Sequence, residues 1–470
     1  MRGMSTAALV FGVLAWGAAS AQAGDKPGED LLKAAKKGDV AKITALLAAG
    51  IDVNTMDHDA RTPLIHAARE DRPAAVDALL AAGANVDVRD KDGRTALFEA
   101  AKEERRGMVE ALLAARANRD SQDKDGRSAL IESCRRHKWT VVLALVRGSA
   151  GVNLQDGKGN TALMEACKED NLAVVEALLK AGARTDLRDD GGWTALLEAA
   201  KRDRVEIARR LLDAGAAPSV PNSHGDTPLA LAGDSELVRL LLDAGAAAEV
   251  RGSGLPLLMR AARLDQAVKI SMLIHAGASV DAAADDGWTA LAAAAGAGSA
   301  RAVHVLLQSG ADPDVVVYPG RKTPLILATE RGDTATIARL LEADPRLNVT
   351  DDKGRTALIC AARTSNDEAV KALVRAGARV NIHDDDGRTA LIHAAAEGRA
   401  DSVRVLLDAG SRRRIKDNDG MTALDHAVKH NENGVVKVLQ EYADRDERAR
   451  EGDDRRDTGN EPHQRHPSTR

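Results

Sequence analysis

Apolar positions along this chain fall into short paired clusters. Val174, Val175, Leu178 and Leu179 recur at the spacing of one helix face, and Gly182 follows where a left-handed residue ends such a helix. Upstream of each such stripe a shorter helix begins behind a Thr whose hydroxyl accepts an orphan amide of the first turn, as at Thr95. In Thr62-Pro63 and Thr323-Pro324 the Thr is followed by Pro, a residue suited to the first helical position. Ahead of the Thr comes turn chemistry, as in Asp90-Lys91-Asp92-Gly93-Arg94, with Gly where a positive φ is needed and Asp able to bond its own backbone. Each unit therefore reads as a hairpin-like tip, a helix, a polar turn and a second helix.

The unit repeats. Thr62, Thr95, Ser128, Thr161, Thr194 and Thr227 stand at five successive spacings of 33. Further copies begin at Leu255, Thr289, Thr323, Thr356, Thr389 and Thr422, with a degenerate first copy at Glu29. That makes thirteen units, of which the one from Thr227 is five residues short and two are one residue long. A fixed period of this size marks a solenoid, in which a unit unable to bury its own apolar face stacks on its neighbours. The expected fold class is all-α, a helix-turn-helix solenoid of about 13 repeats with hairpin-like turn tips.

The run Gly-x-Thr-Pro/Ala-Leu, then Ala-Ala, then a Leu-Leu pair and Ala-Gly-Ala, resembles the ankyrin repeat over about residues 24 to 443. The resemblance implies binding and no particular chemistry. In one respect the chain departs from the family, which often carries His-Leu after Thr-Pro-Leu. Here an apolar residue is followed by Glu or His, as in Ile131-Glu132 and Ile392-His393. The inter-repeat hydrogen bonds credited to that His are not expected, and stacking is expected to lean on aliphatic packing.

Breaks in the period suggest domain limits. The short unit, residues 227–254, ends in Arg251-Gly252-Ser253-Gly254 in place of an Asp-rich tip, and reads as a joint between residues 24–254 and 255–443. A shortened but fully packed repeat is the alternative. Residues 315–320, which include Tyr318 and Pro319, form a second irregular tip. The apolar pattern stops after Ala443, so residues 444–470 are expected to be a disordered charged tail. At the other end Arg2, the apolar residues from Ala7 to Ala19, and Ala21-Gln22-Ala23 match a signal peptide over residues 1–23. The mature chain is expected to begin near Gly24 and to be exported, periplasmic or secreted. The apolar stretch falls short of the ~20 residues of a spanning helix, so no membrane span is expected.

Composition then excludes function classes. Only 2% of the residues are aromatic against 44% hydrophobic, too few rings for a stacked sugar or single-stranded RNA platform. A net charge of -5 gives no general attraction to phosphates, so nucleic acid is not an expected partner. Cys134 and Cys167 share one small position in neighbouring first helices. Packed helices lie roughly 8–10 Å apart, too far for a disulfide, so buried thiols in place of Ala are expected. The Asp-x-Asp-Gly tips at Asp90, Asp384 and Asp417 lack the arrangement of a calcium loop. Cys360, His393 and His426 form one column in three units, which the repeat step spreads too widely for zinc. With no Gly-x-Ser-x-Gly elbow and no phosphate loop, the chain is expected to be no enzyme and to hold no cofactor or metal.

What remains is surface. Counted from the Thr, positions +4 and +7 lie one turn apart on the first helix. Glu99, Glu132, Glu165 and Glu198 fill +4, while Arg69, Lys102, Arg135, Lys168 and Lys201 fill +7, an acidic column beside a basic one. The ankyrin resemblance implies that this face lines a concave groove able to grip a charged partner. A self-neutralising ladder of ion pairs is the alternative. Trp193 and Trp288 stand just before the Thr, where other units carry Arg94, Arg127, Arg355 and Arg388. Trp and Arg anchor interfaces, so these tips are expected as contact residues; tips folded back onto a neighbouring turn are the alternative.

The function expected is that of an exported, monomeric protein-binding scaffold acting through its turn tips and concave helix face, with a protein partner. The competing reading is a periplasmic regulator or protector of one enzyme, in envelope stress. Mass spectrometry of the exported protein should find an N-terminus near Gly24; an intact Met1 terminus would refute cleavage.

Overall fold

The computed structural model describes residues 27–457 apart from 250, 253, 254, 285 and 365. The signal-like segment 1–23 and the last part of the charged tail, residues 458–470, lie outside the described residues. Among those described are 26 helices and one short antiparallel pair of strands, Arg251–Gly252 with Leu255–Pro256. The helices alternate between a short first helix, such as Ala96–Lys102, and a second of nine residues, such as Arg106–Ala114. The chain forms two compact units, one ending at Ala244 and one running from Gly245 onward, residues 224–226 grouping with the second. Within each, first helices pack on first helices and second on second.

Local chemistry sets each helix start. Thr95 Oγ1 accepts from Phe98 N at 3.3 Å, and the Thr or Ser at the same place does so in ten other units. The cap satisfies an amide that no helical carbonyl can reach. The core is aliphatic, with Leu97, Leu130, Leu163 and Leu196 each 1% exposed.

The eighth unit has a different register from the one its sequence suggests. Its first helix, Leu257–Arg263, has Pro256 and not Leu255 at the cap position. Matching Leu-Pro-Leu to Thr-Pro-Leu puts Leu255 there, but the buried set Leu257, Leu258, Met259, Ala261 and Ala262 requires a shift of one. Asp265, nine residues after Pro256, has φ +53, as Asp71 nine after Thr62 has φ +59. The step from Thr227 is then 256 − 227 = 29 residues, four short of 33, and the next step is 33. Most of the loss falls in the first helix of the short unit, cut to Pro228–Leu231, after which Asp234 caps Ser235–Asp243.

At the C-terminal end the last helix runs over Asn433–Asp457. Residues 444–457, expected in a disordered tail, continue it: lack of apolar surface argues against packing, but not against extending a helix already nucleated on its neighbours.

Stacking does not rest on aliphatic packing alone, contrary to the expectation from the missing His. Main-chain bonds join successive tips: Lys91 N donates to Asp59 O at 2.8 Å, Lys124 N to Asp92 O at 2.9 Å, Gly157 N to Asp125 O at 2.7 Å and Asp190 N to Lys158 O at 2.9 Å. In the second compact unit Asp385 N donates to Lys353 O at 3.1 Å and Asn418 N to Asp386 O at 3.0 Å. A second ladder uses side chains, as Asn85 N donates to Asn54 Oδ1 at 2.8 Å and Asn118 N to Asp87 Oδ1 at 2.7 Å.

The residue two before the Thr takes a positive φ at the tip contact; it is Gly in most repeats, with Ala60 at φ +59 and Arg321 at φ +49 in its place in two. Gly126 has φ +73, and a Cβ on it would lie 2.6 Å from Gly157 N, whereas a Cβ on Gly182 at φ +87 would meet nothing within 4 Å. Gly182→Ala should cost about 1 kcal/mol for the left-handed backbone alone, and Gly126→Ala about 2–3 kcal/mol because the tips must also part. Urea unfolding of the two variants checks this; equal losses would show that the tips are not in close contact.

Candidate functional site

The first helices carry the candidate face. In the Thr95 unit Ala96, Leu97, Phe98, Ala100 and Ala101 are all buried, which leaves +4 and +7 as the polar positions. The structure brings the two expected columns together but not side by side at the surface. Glu99 is 0% exposed and Glu132 2%, with Glu165 and Glu198 buried as well. Cations close over them. Glu99 has Lys102 Nζ at 3.5 Å, Arg94 Nη1 at 3.7 Å and Arg69 Nε, from the preceding unit, at 3.9 Å. Glu132 takes Arg135 Nε at 2.9 Å, Arg136, and Arg127 at 3.7 Å. Lys168 Nζ bonds Glu165 at 2.7 Å and lies 4.0 Å from Glu198, which also holds Arg202.

The four carboxylates expected to touch a partner are therefore withdrawn from it. Position +4 faces the neighbouring first helix, and a charge there is tolerated only where cations enclose it. Burial alone would push the Glu132 carboxyl up, yet its bonds from Arg135 and Arg136 outweigh that and hold it below the usual carboxylate range. What reaches solvent is cationic, with Arg69, Arg135 and Arg136 still about two-fifths exposed.

The tip residues also fold inward. Arg94 reaches Asp92 at 3.0 Å and lies over the Phe98 ring at 5.8 Å, and Arg127 reaches Asp125 at 3.1 Å. Arg355, with a side chain 12% exposed, binds Asp351 and lies 3.1 Å from Glu330. Arg388 lies 3.3 Å from Asp417 of the next unit. Trp193 is half-buried, its ring under Lys201 Nζ at 4.7 Å. Trp288 is half-buried too, and its Nε1 donates to Tyr318 O at 3.1 Å.

An Asp five residues before the Thr or Ser organises eight of the tips, with Asn222, Ala284 and Tyr318 at that place before Thr227, Thr289 and Thr323. Asp90 Oδ1 accepts from Asp92 N at 3.0 Å and Arg94 N at 2.8 Å, and Asp384 and Asp417 do the same in their own units. In three tips its second oxygen meets an imidazole: His66 pairs with Asp57 at 2.8 Å, His393 with Asp384 at 2.6 Å and His426 with Asp417 at 2.7 Å. The column of Cys360, His393 and His426 is thus divided among separate tips. The structure instead sets the Cys360 sulfur with Glu330 and Asp351 carboxylates, all within 4.8 Å, around the Arg355 guanidinium. A guanidinium held by both carboxylates occupies their charge, which disfavours a cation. Burial pushes the Cys360 thiol up to about 12 and raises Cys134 and Cys167 as well; all three are free thiols. The role of the Asp was readable from its recurrence at one offset from the Thr.

A family model for ankyrin repeats in blocks of three copies matches six overlapping segments, residues 31–123, 104–189, 174–252, 230–317, 316–384 and 367–449. The chain belongs to the ankyrin repeat family. It is 38% identical over 88 residues to the inactive serine/threonine-protein kinase TEX14 of Bos taurus, a match covering 19% of this chain and 6% of that protein. The solved ankyrin repeat domain of Bcl-3, described as a member of the IkappaB protein family, is 27% identical. That match covers 47% of this chain and 99% of that one, with a TM-score of 0.43. Among the described residues of this ankyrin chain no helix is long and apolar enough to cross a membrane.

In the last tip of the ankyrin array Asp417 is clamped by His426, the Met421 amide and Arg388. Burial would raise the Asp417 carboxyl, but His426, the Met421 amide and Arg388 outweigh it and bring it from 3.8 down to about 2. A carboxyl held low in the folded state stabilises above its unfolded value, and that contribution is lost as pH falls through the folded one. Stability of the C-terminal repeats should therefore fall between about pH 4 and pH 2. Asp417→Asn keeps the acceptor for the tip amides while removing the charge. It should lower the melting temperature at pH 7 by about 2–4 °C and flatten that acid limb. An unchanged acid limb in melts across this range would remove the clamp.

Proposed function

We propose that this ankyrin array is a protein-binding scaffold whose first-helix face, from the Thr62 unit to the Thr194 unit, takes an acidic segment of a partner protein. The observation that carries this reading is the layering of charge. Glu99, Glu132, Glu165 and Glu198 lie buried, while Arg69, Arg135, Arg136 and Lys168 stand above them toward solvent. A chain of net charge -5 thus presents a positive strip there. Such a strip steers an oppositely charged segment and sets its register more than it adds affinity. Ankyrin arrays generally act as protein-interaction scaffolds, which agrees with this reading. Trp193 and the half-buried tip arginines border the strip and add contact area. Export follows from the signal-like pattern of residues 1–23, and the array works as a monomer.

The test removes a cation together with the acid beneath it, so that no buried charge is left unpaired. The paired variants Glu132→Gln/Arg135→Gln and Glu165→Gln/Lys168→Gln should stay folded. Each should lose about tenfold in binding to the partner captured from the native envelope, less so at high salt. Unchanged binding in both would contradict the proposal.

A further inference from the structure

The charged ladder of the Thr95 to Thr194 units has no counterpart in the Thr289 unit. Its first helix, Ala290–Ala297, has Ala293 at +4 and Gly296 at +7, so neither a buried acid nor a covering cation is present. The consequence shows in the two tip indoles. In the Thr194 unit the +7 residue, Lys201, lies over the Trp193 ring at 4.7 Å. In the Thr289 unit the +7 residue is a glycine whose missing Cβ would lie 3.7 Å from the Trp288 ring. One flank of Trp288 is left open, while its Nε1 bond to Tyr318 O at 3.1 Å fixes the ring as a wall.

The space so opened is a groove of ≈ 1140 Å³. Its apolar surface comes from Met259, Leu264, Trp288, Ala293 and Leu327. Leu264 is 61% exposed, large for an apolar side chain with no cover. The volume exceeds the roughly 300–1,000 Å³ of a small-molecule pocket and suits a length of polypeptide.

The charges around it are unevenly committed. Glu330 is held by Lys322 at 2.6 Å and Arg355 at 3.1 Å, and Arg260 by Asp226 at 2.7 Å. Asp286 accepts from the Trp288 amide at 3.2 Å. Arg263 and Arg331 are exposed and make no ion pair among the described residues. The hydrogen bond from that amide leaves the Asp286 charge in place, so the rim keeps two cations, Arg263 and Arg331, against one carboxylate, a net positive charge beside an apolar floor.

We propose that this groove receives a short extended segment of a partner protein in which a bulky apolar side chain is flanked by carboxylates. The apolar side chain packs between Trp288 and Leu264, and the carboxylates meet Arg263 and Arg331. This rests on the reading of the array as a protein-binding scaffold, and adds a second contact of different chemistry from the cationic strip.

The test uses three fluorescein-labelled dodecapeptides of Gly and Ser. One carries a central Leu-Phe pair flanked by two Glu on each side, one replaces the four Glu by Lys, and one replaces Leu-Phe by Ser-Ser. Fluorescence anisotropy with the full chain should show the first binding at least about tenfold tighter than either other. Gly296→Lys restores the arrangement of Trp193 and Lys201 and fills the groove, so it should remain folded and lose that binding. Arg263→Glu/Arg331→Glu should lose it as well, while Gly296→Ala, which adds one methyl at ordinary contact distance, should reduce it less. Equal binding of the acidic and basic peptides, no binding of the first, or binding indifferent to Gly296→Lys overturns the proposal. Binding kept in Gly296→Lys but lost in Glu132→Gln/Arg135→Gln overturns the groove while leaving the scaffold reading intact.

Discussion

The distance between one tip and the next governs the rest of this molecule. In nine of the described tips an amide donates to a carbonyl of the tip before it, as Gly157 N does to Asp125 O at 2.7 Å. The approach is so close that a single Cβ on Gly126 would meet the next backbone at 2.6 Å. No other residue combines that space with a positive φ without strain. In eight of the tips the Asp five before the Thr or Ser holds the tip in shape from within, so that its donor and acceptor are presented at a constant height.

Once the spacing is constant, everything on the first helix falls into columns. Within each compact unit the apolar positions meet their counterparts in the next repeat and form an aliphatic core that no single repeat has. Position +4 is drawn into the same interface, which is why four glutamates end up buried. Their charge is held by cations from +7, from +8 and from the tip, and Arg69 on Glu99 and Lys168 near Glu198 reach across from the preceding repeat, so those two interfaces carry ion pairs as well as packing. The same geometry makes the Thr289 unit distinctive: with Ala293 and Gly296 in those columns, the spacing is kept but the filling is not, and a groove results.

The period, the helix caps and the glycine of most tips were legible in the sequence because they are local and recur at fixed offsets. Burial of Glu99 and Glu132 was not, since a column of acids beside a column of bases looks like a solvated face until the closeness of the next helix is known. The inward fold of Arg94, Arg355, Trp193 and Trp288 was hidden for the same reason: the groups that receive them lie at other positions of the helix or in neighbouring tips. The register at Pro256 was ambiguous because Leu-Pro-Leu imitates the usual start, and the buried set from Leu257 to Ala262 together with the positive φ of Asp265 decides it. Residues 444–457 show the opposite error, a segment without apolar surface that is nevertheless carried on as helix.

Native-state hydrogen exchange tests the tip contact most directly. Lys91, Lys124, Gly157 and Asp190 sit in surface turns, where amides ordinarily exchange fast, yet each donates to the neighbouring tip. The account predicts protection of these four amides comparable to that of the first-helix amides behind them, because opening one requires the stack to part. Exchange at the rate of an unstructured peptide would show that the tips do not set the spacing, and that packing of the helices alone holds the array together.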